Sequence, residues 1–136
     1  MTGFVIVDTD VFSSLWQKKN NHHLYTQHLV GRVPVLSFTS VAEAHFGATK
    51  ARWGQNKMQN LDEAIRRYVI APYDDQLSKL WGKLKADAQN AGHALGAVAQ
   101  TNDLWICATA IFHDAPLLTN NTRHFAGFPG LNLITV

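Results

Sequence analysis

Short apolar runs punctuate the chain at 4–7, 33–38, 68–72, 116–121 and 131–136, and the intervals between them are long enough to hold helices. Runs of this length, rich in Val, Ile and Leu, fit buried strands. Helical spacing follows at 11–17 and 22–30 after the first run, and at 41–53 and 61–68 after the second. In the last of these Leu61, Ile65, Tyr68 and Val69 share one face. Asp74 and Asp75 can cap a helix reaching to about residue 90, with Leu77, Leu80, Trp81, Leu84 and Ala88 facing inward. Residues 91–102 read as a glycine-punctuated loop. The segment "DLWICATAIF", 103–112, is too apolar all round for a surface helix and reads as buried. A short turn or helix around 122–125 separates the last two strands. Parallel neighbours need crossover connections, so strand-helix alternation implies an α/β domain with a central, mainly parallel sheet of four to five strands flanked by helices. With no repeat or linker, 1–136 reads as one domain.

At 136 residues and 46% hydrophobic composition the chain can bury a core without staples. The lone Cys107 excludes an internal disulfide and a multi-cysteine zinc site. No stretch approaches the ~20 apolar residues of a membrane span, and the N-terminus lacks the features of a signal peptide, so a cytoplasmic location is expected. A net charge of +2 permits a polyanionic partner without requiring one.

In sheets of this kind ligands sit outside the carboxyl ends of the strands. Asp8 and Asp10 follow the first run, Glu43 lies just after the second, Asp103 opens the buried helix, and Thr119, Asn120 and Asn121 follow "PLL". Separate segments thus bring oxygen ligands to one edge. Clustered carboxylates repel one another and lose hydration, a cost that a hard divalent cation such as Mg²⁺ or Mn²⁺ relieves. Each residue also has a plainer explanation. Asp8 and Asp10 suit a turn or helix cap, Ser40 and Glu43 fit a capping box, Asp103 can cap its own helix, and "TNNTR" is ordinary turn chemistry. The combination is what favours a metal site.

"VIVDTDVF", "TSVAEAHFGA", "NDLWICATAI" and "LLTNNTRHFAGFPGLNLITV" resemble, in order and spacing, the four signature blocks of PIN-domain ribonucleases, and most closely the VapC-type toxins of bacterial toxin–antitoxin pairs. The resemblance covers nearly the whole chain. It implies a PIN-like fold in which Asp8, Glu43 and Asp103 are catalytic and hold Mg²⁺ or Mn²⁺, with Thr9 and Asp10 in supporting positions and Thr119 and Asn121 at the fourth position. It departs from the family pattern at Asp10, where many relatives carry Asn or Ser, and at His124, where an acid often precedes the Phe of the last block.

The activity implied is endonucleolytic hydrolysis of RNA by metal-activated water, leaving a 5′-phosphate and a 3′-hydroxyl. Lys50, Arg52, Trp53 and Arg123 are candidate RNA contacts, because an indole stacks on a splayed base and basic groups meet phosphates. Trp16, Trp81 and Trp105 look like core. The resemblance also implies a homodimer and a small antitoxin of the VapB type, itself DNA-binding, and the helices at 41–53 and 61–68 are the candidate surfaces. "VIVDTDVF" and "LLTN" also resemble motifs of haloacid-dehalogenase-like phosphatases, but no Asp or Glu follows Thr119 to complete that site. A PIN-like module kept only for binding is the non-enzymatic alternative.

Overall fold

The computed structural model describes residues 3–135, with side chains for 3–134. Met1, Thr2 and Val136, the ends of the 1–136 domain and of the 131–136 strand, lie outside the described residues. In chain order come β1 (Phe4–Val7), α1 (Thr9–Gln17), α2 (His23–Thr26), β2 (Val33–Ser37), α3 (Phe38–Lys50), α4 (Gln55–Arg66) and β3 (Val69–Ala71). They are followed by α5 (Asp75–Asn90), α6 (Thr101–Phe112), β4 (Leu117–Thr119), α7 (Thr122–Phe125) and β5 (Leu133–Thr135). Short 3-10 turns at Ala94–Gly96 and Val98–Gln100 occupy the expected loop between α5 and α6.

The strands form one sheet in the order β3-β2-β1-β4-β5, and every pairing is parallel. This is the sheet expected from the alternation of strands and helices. From β1 the chain steps outward through β2 to β3, whereas β4 and β5 lie on the other side, so the order reverses between β1 and β4. That reversal is where an open sheet leaves a crevice.

Alternate side chains of each strand feed two cores. Val5, Val7, Leu36 and Leu118 pack against Val11, Phe12, Leu61 and Ala64 on one face. Ile6, Val35 and Leu117 pack against Leu77, Leu84, Leu104 and Ile106 on the other. Within α6, Leu104 and residues 106–110 are buried, which accounts for its unbroken apolarity. No helix among the described residues is long and apolar enough to cross a membrane.

Boundaries differ from expectation for local reasons. The helix expected at 22–30 is the single turn of α2, because His28 and Leu29 bond three residues back and Gly31, at φ 74°, redirects the chain into β2. The helix expected from 41 begins at Phe38, capped by Ser37, whose Oγ accepts from the Thr39 amide at 3.2 Å. The Ser40–Glu43 capping box therefore does not form: Ser40 sits inside α3 and is 1% exposed. Helix α4 begins at Gln55, ahead of the apolar stripe, because its first residues, 55–60, are almost all polar and carry no periodic signal. Ahead of α6, a Cβ on Gly96 would lie 2.9 Å from the Gln89 backbone nitrogen, so only glycine lets this turn lie against α5.

Candidate active site

Asp8 occupies the N-cap position of α1, with φ −62° and ψ 150°, yet its carboxylate makes no capping bond. Its Oδ2 accepts instead from the Thr119 hydroxyl at 2.7 Å, across the β1–β4 junction. The backbone fixes this approach, because the Asp8 amide donates to the Leu118 carbonyl at 3.0 Å. Thr119 Oγ1 also accepts from the Asn121 amide at 2.9 Å, so the turn after β4 orients the hydroxyl. Asp8 is 3% exposed. Burial, with repulsion from Asp103 and Asp10, pushes its carboxyl up to about 7, although the Thr119 bond pulls the other way.

Asp103 is the third residue of α6 rather than its cap, and its Oδ2 lies 2.7 Å from His124 Nδ1 on α7. The Asn121 side-chain nitrogen lies 2.9 Å from the same ring atom. Burial raises the Asp103 pKa, the hydrogen bond and charge of His124 lower it, and Glu43 and Asp10 raise it again. Glu43, on α3, accepts from Asn102 Nδ2 of α6 at 3.2 Å. Asp10 is exposed in the first turn of α1, where the helix dipole favours an acid. Thr9 Oγ1 donates to Ser40 Oγ at 2.8 Å and ties α1 to α3.

The tertiary structure thus gathers Asp8, Thr9, Asp10, Glu43, Asp103, Thr119 and Asn121 at the carboxyl edge of the sheet. Asp103 and Asp10 lie close enough to Asp8, and Glu43 and Asp10 close enough to Asp103, for their charges to disfavour ionisation of Asp8 and Asp103. Among the described residues, however, no group of three or more His, Cys, Asp or Glu side chains stands close enough to hold a metal ion. Glu43 is turned to Asn102, and Asp103 to His124.

Sequence reasoning missed Tyr25. It is 1% exposed, its hydroxyl accepts from Asn21 Nδ2 at 3.1 Å and is hydrogen-bonded to the Asn120 side chain, and burial plus the charges of Asp10 and Asp8 raise its pKa. Asn21 lies one helical turn away, but nothing around Tyr25 in the sequence signals its link to the site, since Asn120, Asp8 and Asp10 lie on distant segments. His124 was noticeable in sequence only as a departure from the family pattern.

The candidate RNA contacts are dispersed. Trp53 is half-buried with its ring centroid 5.3 Å from that of Trp16, and Lys57 Nζ stands 4.1 Å above the Trp53 ring. A cavity of about 350 Å³ opens here, lined by Thr9, Asp10, Phe12, Trp16, Glu43 and Trp53 among others. Lys50 is about two helical turns beyond Glu43 on α3, Arg52 is exposed at φ 57°, and Arg123 is exposed beside His124. Trp16, expected in the core, is only half-buried, as are Trp81 and Trp105, whose rings stack at 5.1 Å.

The PIN domain family model matches residues 5–130. Ribonuclease VapC2 of Haemophilus influenzae is 30% identical over 95 residues, covering 70% of this chain and 68% of the relative. Ribonuclease VapC2 of Rickettsia felis is 25% identical over 130 residues, 94% of each chain. In the crystal structure of VapBC2 from Rickettsia felis bound to a DNA fragment from its promoter, one chain superposes with a TM-score of 0.82 at 22% identity over 98% of both chains. A chain of VapBC-1 from nontypeable Haemophilus influenzae gives 0.77 at 24% identity over 97% of both. The sheet order, the acids at its carboxyl edge and the extent of these matches establish that the chain belongs to the PIN-domain family and groups within it with the VapC proteins.

Proposed function

We propose that this protein is a metal-dependent endoribonuclease and the toxin of a toxin–antitoxin pair, hydrolysing RNA phosphodiester bonds at the edge formed by Asp8, Glu43 and Asp103. The observation that carries the reading is Asp8, a buried carboxyl pushed up to about 7 with Asp103 and Asp10 repelling it. A fold that keeps such a group charged at neutral pH without compensation is destabilised, and a divalent cation supplies the compensation.

The donor set fits Mg²⁺ or Mn²⁺, being carboxylate and hydroxyl oxygens with no thiolate. Asp8 and Asp103 would hold the ion, with Glu43 completing the set or orienting the attacking water. When bound, such an ion supplies an acidified water and offsets the negative charge that builds on phosphorus. The chain's own residues do the positioning. Thr119 fixes the rotamer of Asp8, and His124 holds Asp103 by donating Nδ1–H. Thr9 locks α1 to α3 and so sets Asp10 relative to Glu43. Asn121, through its amide, holds Thr119 in place. Lys50, Arg52, Trp53 and Arg123 are assigned to the RNA strand.

The VapBC complexes among the structural relatives support a cognate antitoxin of the DNA-binding VapB type. With it we assign a homodimer, a single nuclease domain over 1–136 and a cytoplasmic location. The inert binding module draws on the lack of three converging acids among the described residues. Against it stands the energetic cost of Asp8, which a mere binding surface has no reason to carry.

The test is to map cleavage ends in total cellular RNA incubated with Mg²⁺ or Mn²⁺ for the wild type beside Asp8→Asn. Discrete 5′-phosphate ends that vanish with the variant are expected. Identical ends from both proteins would refute the assignment, and calorimetry without Mn²⁺ binding would favour the inert module.

A further inference from the structure

Beyond the acids, α1 faces first α3 and then α4 across a series of adjoining openings. The 350 Å³ cavity beside Asp10 and Glu43 is followed by openings of about 500, 210 and 290 Å³, and Trp16 lines all of them. Adjacent openings share Gln17, then Asn60, then Ala64 and Arg67, so they form one track. Its character changes along its length. At the acid end the walls are Asp10, Glu43 and the Trp16–Trp53 pair, with Lys19 as the single cation, whereas further on Lys57, Arg67 and Lys18 line the opening, with Glu63 as the single acid. Lys18, Lys57 and Arg67 are exposed.

We propose that this groove seats the single-stranded RNA flanking the scissile bond, with one unpaired base in the cavity against Trp16 and Trp53 and the following phosphates on Lys57, Arg67 and Lys18. The inference rests on the ribonuclease reading and names the part of the substrate that the acids do not contact. Charge decides the order of occupants. In the first cavity two acids, Asp10 and Glu43, outweigh the single cation Lys19, whose Nζ is already bonded to Ser13 Oγ, so a phosphate is disfavoured there while a neutral base meets indole surface and the polar group of Gln17. Past the tryptophans the cations outnumber the acid, and there the backbone is favoured. Aromatic faces alternating with basic groups are how proteins hold unpaired strands, because every base offers a π-face. A duplex presents no free face and does not fit this sequence of sites. Continuity with the acid edge also matters: a strand cut beside Asp8 must leave along a surface, and this track begins at Asp10.

Three exposed cations make a test that spares the core. Lys18 has φ 51°, so asparagine, which tolerates that conformation, is its replacement. The triple variant Lys18→Asn/Lys57→Gln/Arg67→Gln is compared with Lys79→Gln/Lys83→Gln/Lys85→Gln, the same charge removed from α5. Both are made in the Asp8→Asn background for binding and in the active protein for kinetics, using an end-labelled single-stranded RNA of mixed sequence and its duplex. Loss of three phosphate contacts lowers the slope of log affinity against log salt by about 2. The α1/α4 variant is expected to bind the single strand at least about tenfold more weakly, to raise KM more than it lowers kcat, and to need correspondingly more strand to quench its tryptophan fluorescence. The α5 variant is expected to stay within about twofold in affinity. Equal affinity and salt slope in the two variants, or equal binding of duplex and single strand by the parent, would overturn the groove assignment. A variant that keeps its RNA affinity but loses a protein partner would also overturn it and give the groove to that partner. Failure of the active protein to cut any RNA sinks the ribonuclease reading itself, a separate outcome.

Discussion

Asp8 and Thr119, 111 positions apart in sequence, share a 2.7 Å hydrogen bond buried at the junction of β1 and β4. It ties the Asp8 side chain to β4 and, with the Thr9 amide, opposes the burial that drives Asp8 towards neutrality. The consequences for stability and activity can be measured.

Without divalent cation, the fold should lose stability as pH rises. The folded-state pKa of Asp8 is raised from 3.8 to about 7, so the buried group favours folding fully below about 4 and this contribution is lost as pH climbs through about 7. The upper bound is on the order of 4 kcal/mol, since each unit is about 1.4 kcal/mol. Thermal melts in chelator should show Asp8→Asn more stable than wild type by about 1–3 kcal/mol near neutral pH, with the pH dependence flattened. Adding Mn²⁺ should stabilise wild type alone.

Thr119→Val removes the donor to Asp8 and leaves the Asn121 amide without its acceptor. A loss of about 1–3 kcal/mol is expected from the unsatisfied groups. The pH at which Asp8 ionises should move further up, visible as an upward shift in the acid limb of RNA cleavage. Thr119→Ser should restore most of both.

Replacing His124 by Leu should cut RNA cleavage by about 10–100-fold, the usual cost of losing a group that orients a ligand. The accompanying readout is weaker Mn²⁺ binding by calorimetry. Unchanged metal affinity would deny His124 its positioning role.

Thr9 and Ser40 join α1 to α3 through hydroxyls alone. Thr9→Val strands the buried Ser40 hydroxyl and should cost about 1–3 kcal/mol, while the double variant Thr9→Val/Ser40→Ala should cost less than the sum. A coupling of at least about 0.5 kcal/mol in urea unfolding is the expected signature of the direct bond.

Phe46 is 66% exposed on α3, one of the helices expected to meet a second copy. Light scattering at micromolar concentration should give a dimer mass for wild type and a monomer mass for Phe46→Glu. A wild-type monomer would remove the dimer from the reading.

The sheet was legible because its signals are local. Phe4–Val7 and Leu117–Thr119 are apolar enough to be buried on both faces, and the intervening helices announce parallel crossovers. Asp8, Glu43 and Asp103 stood out only in combination, because each alone suits a cap or turn whereas several carboxylates brought to one edge repel one another. Local rules also misled at this edge. Ser40 and Glu43 have capping-box spacing, but Ser37 lies at the true start of α3 and takes the cap, which frees Ser40 to bond Thr9. Asp8 holds an N-cap position, yet Thr119 competes for its carboxylate and wins.

By itself, the order of residues determined the strand-and-helix alternation, the buried α6 and the set of acids brought to one edge. Which hydroxyl meets Asp8, which imidazole meets Asp103, that Tyr25 lies beneath the acids, and that Trp16 runs along a groove were decided only by the packed chain. Periodicity reports which face of an element is buried, because that depends on neighbours a few residues away. Pairing between side chains on different elements depends on sheet register and helix placement, which are fixed only when both cores close.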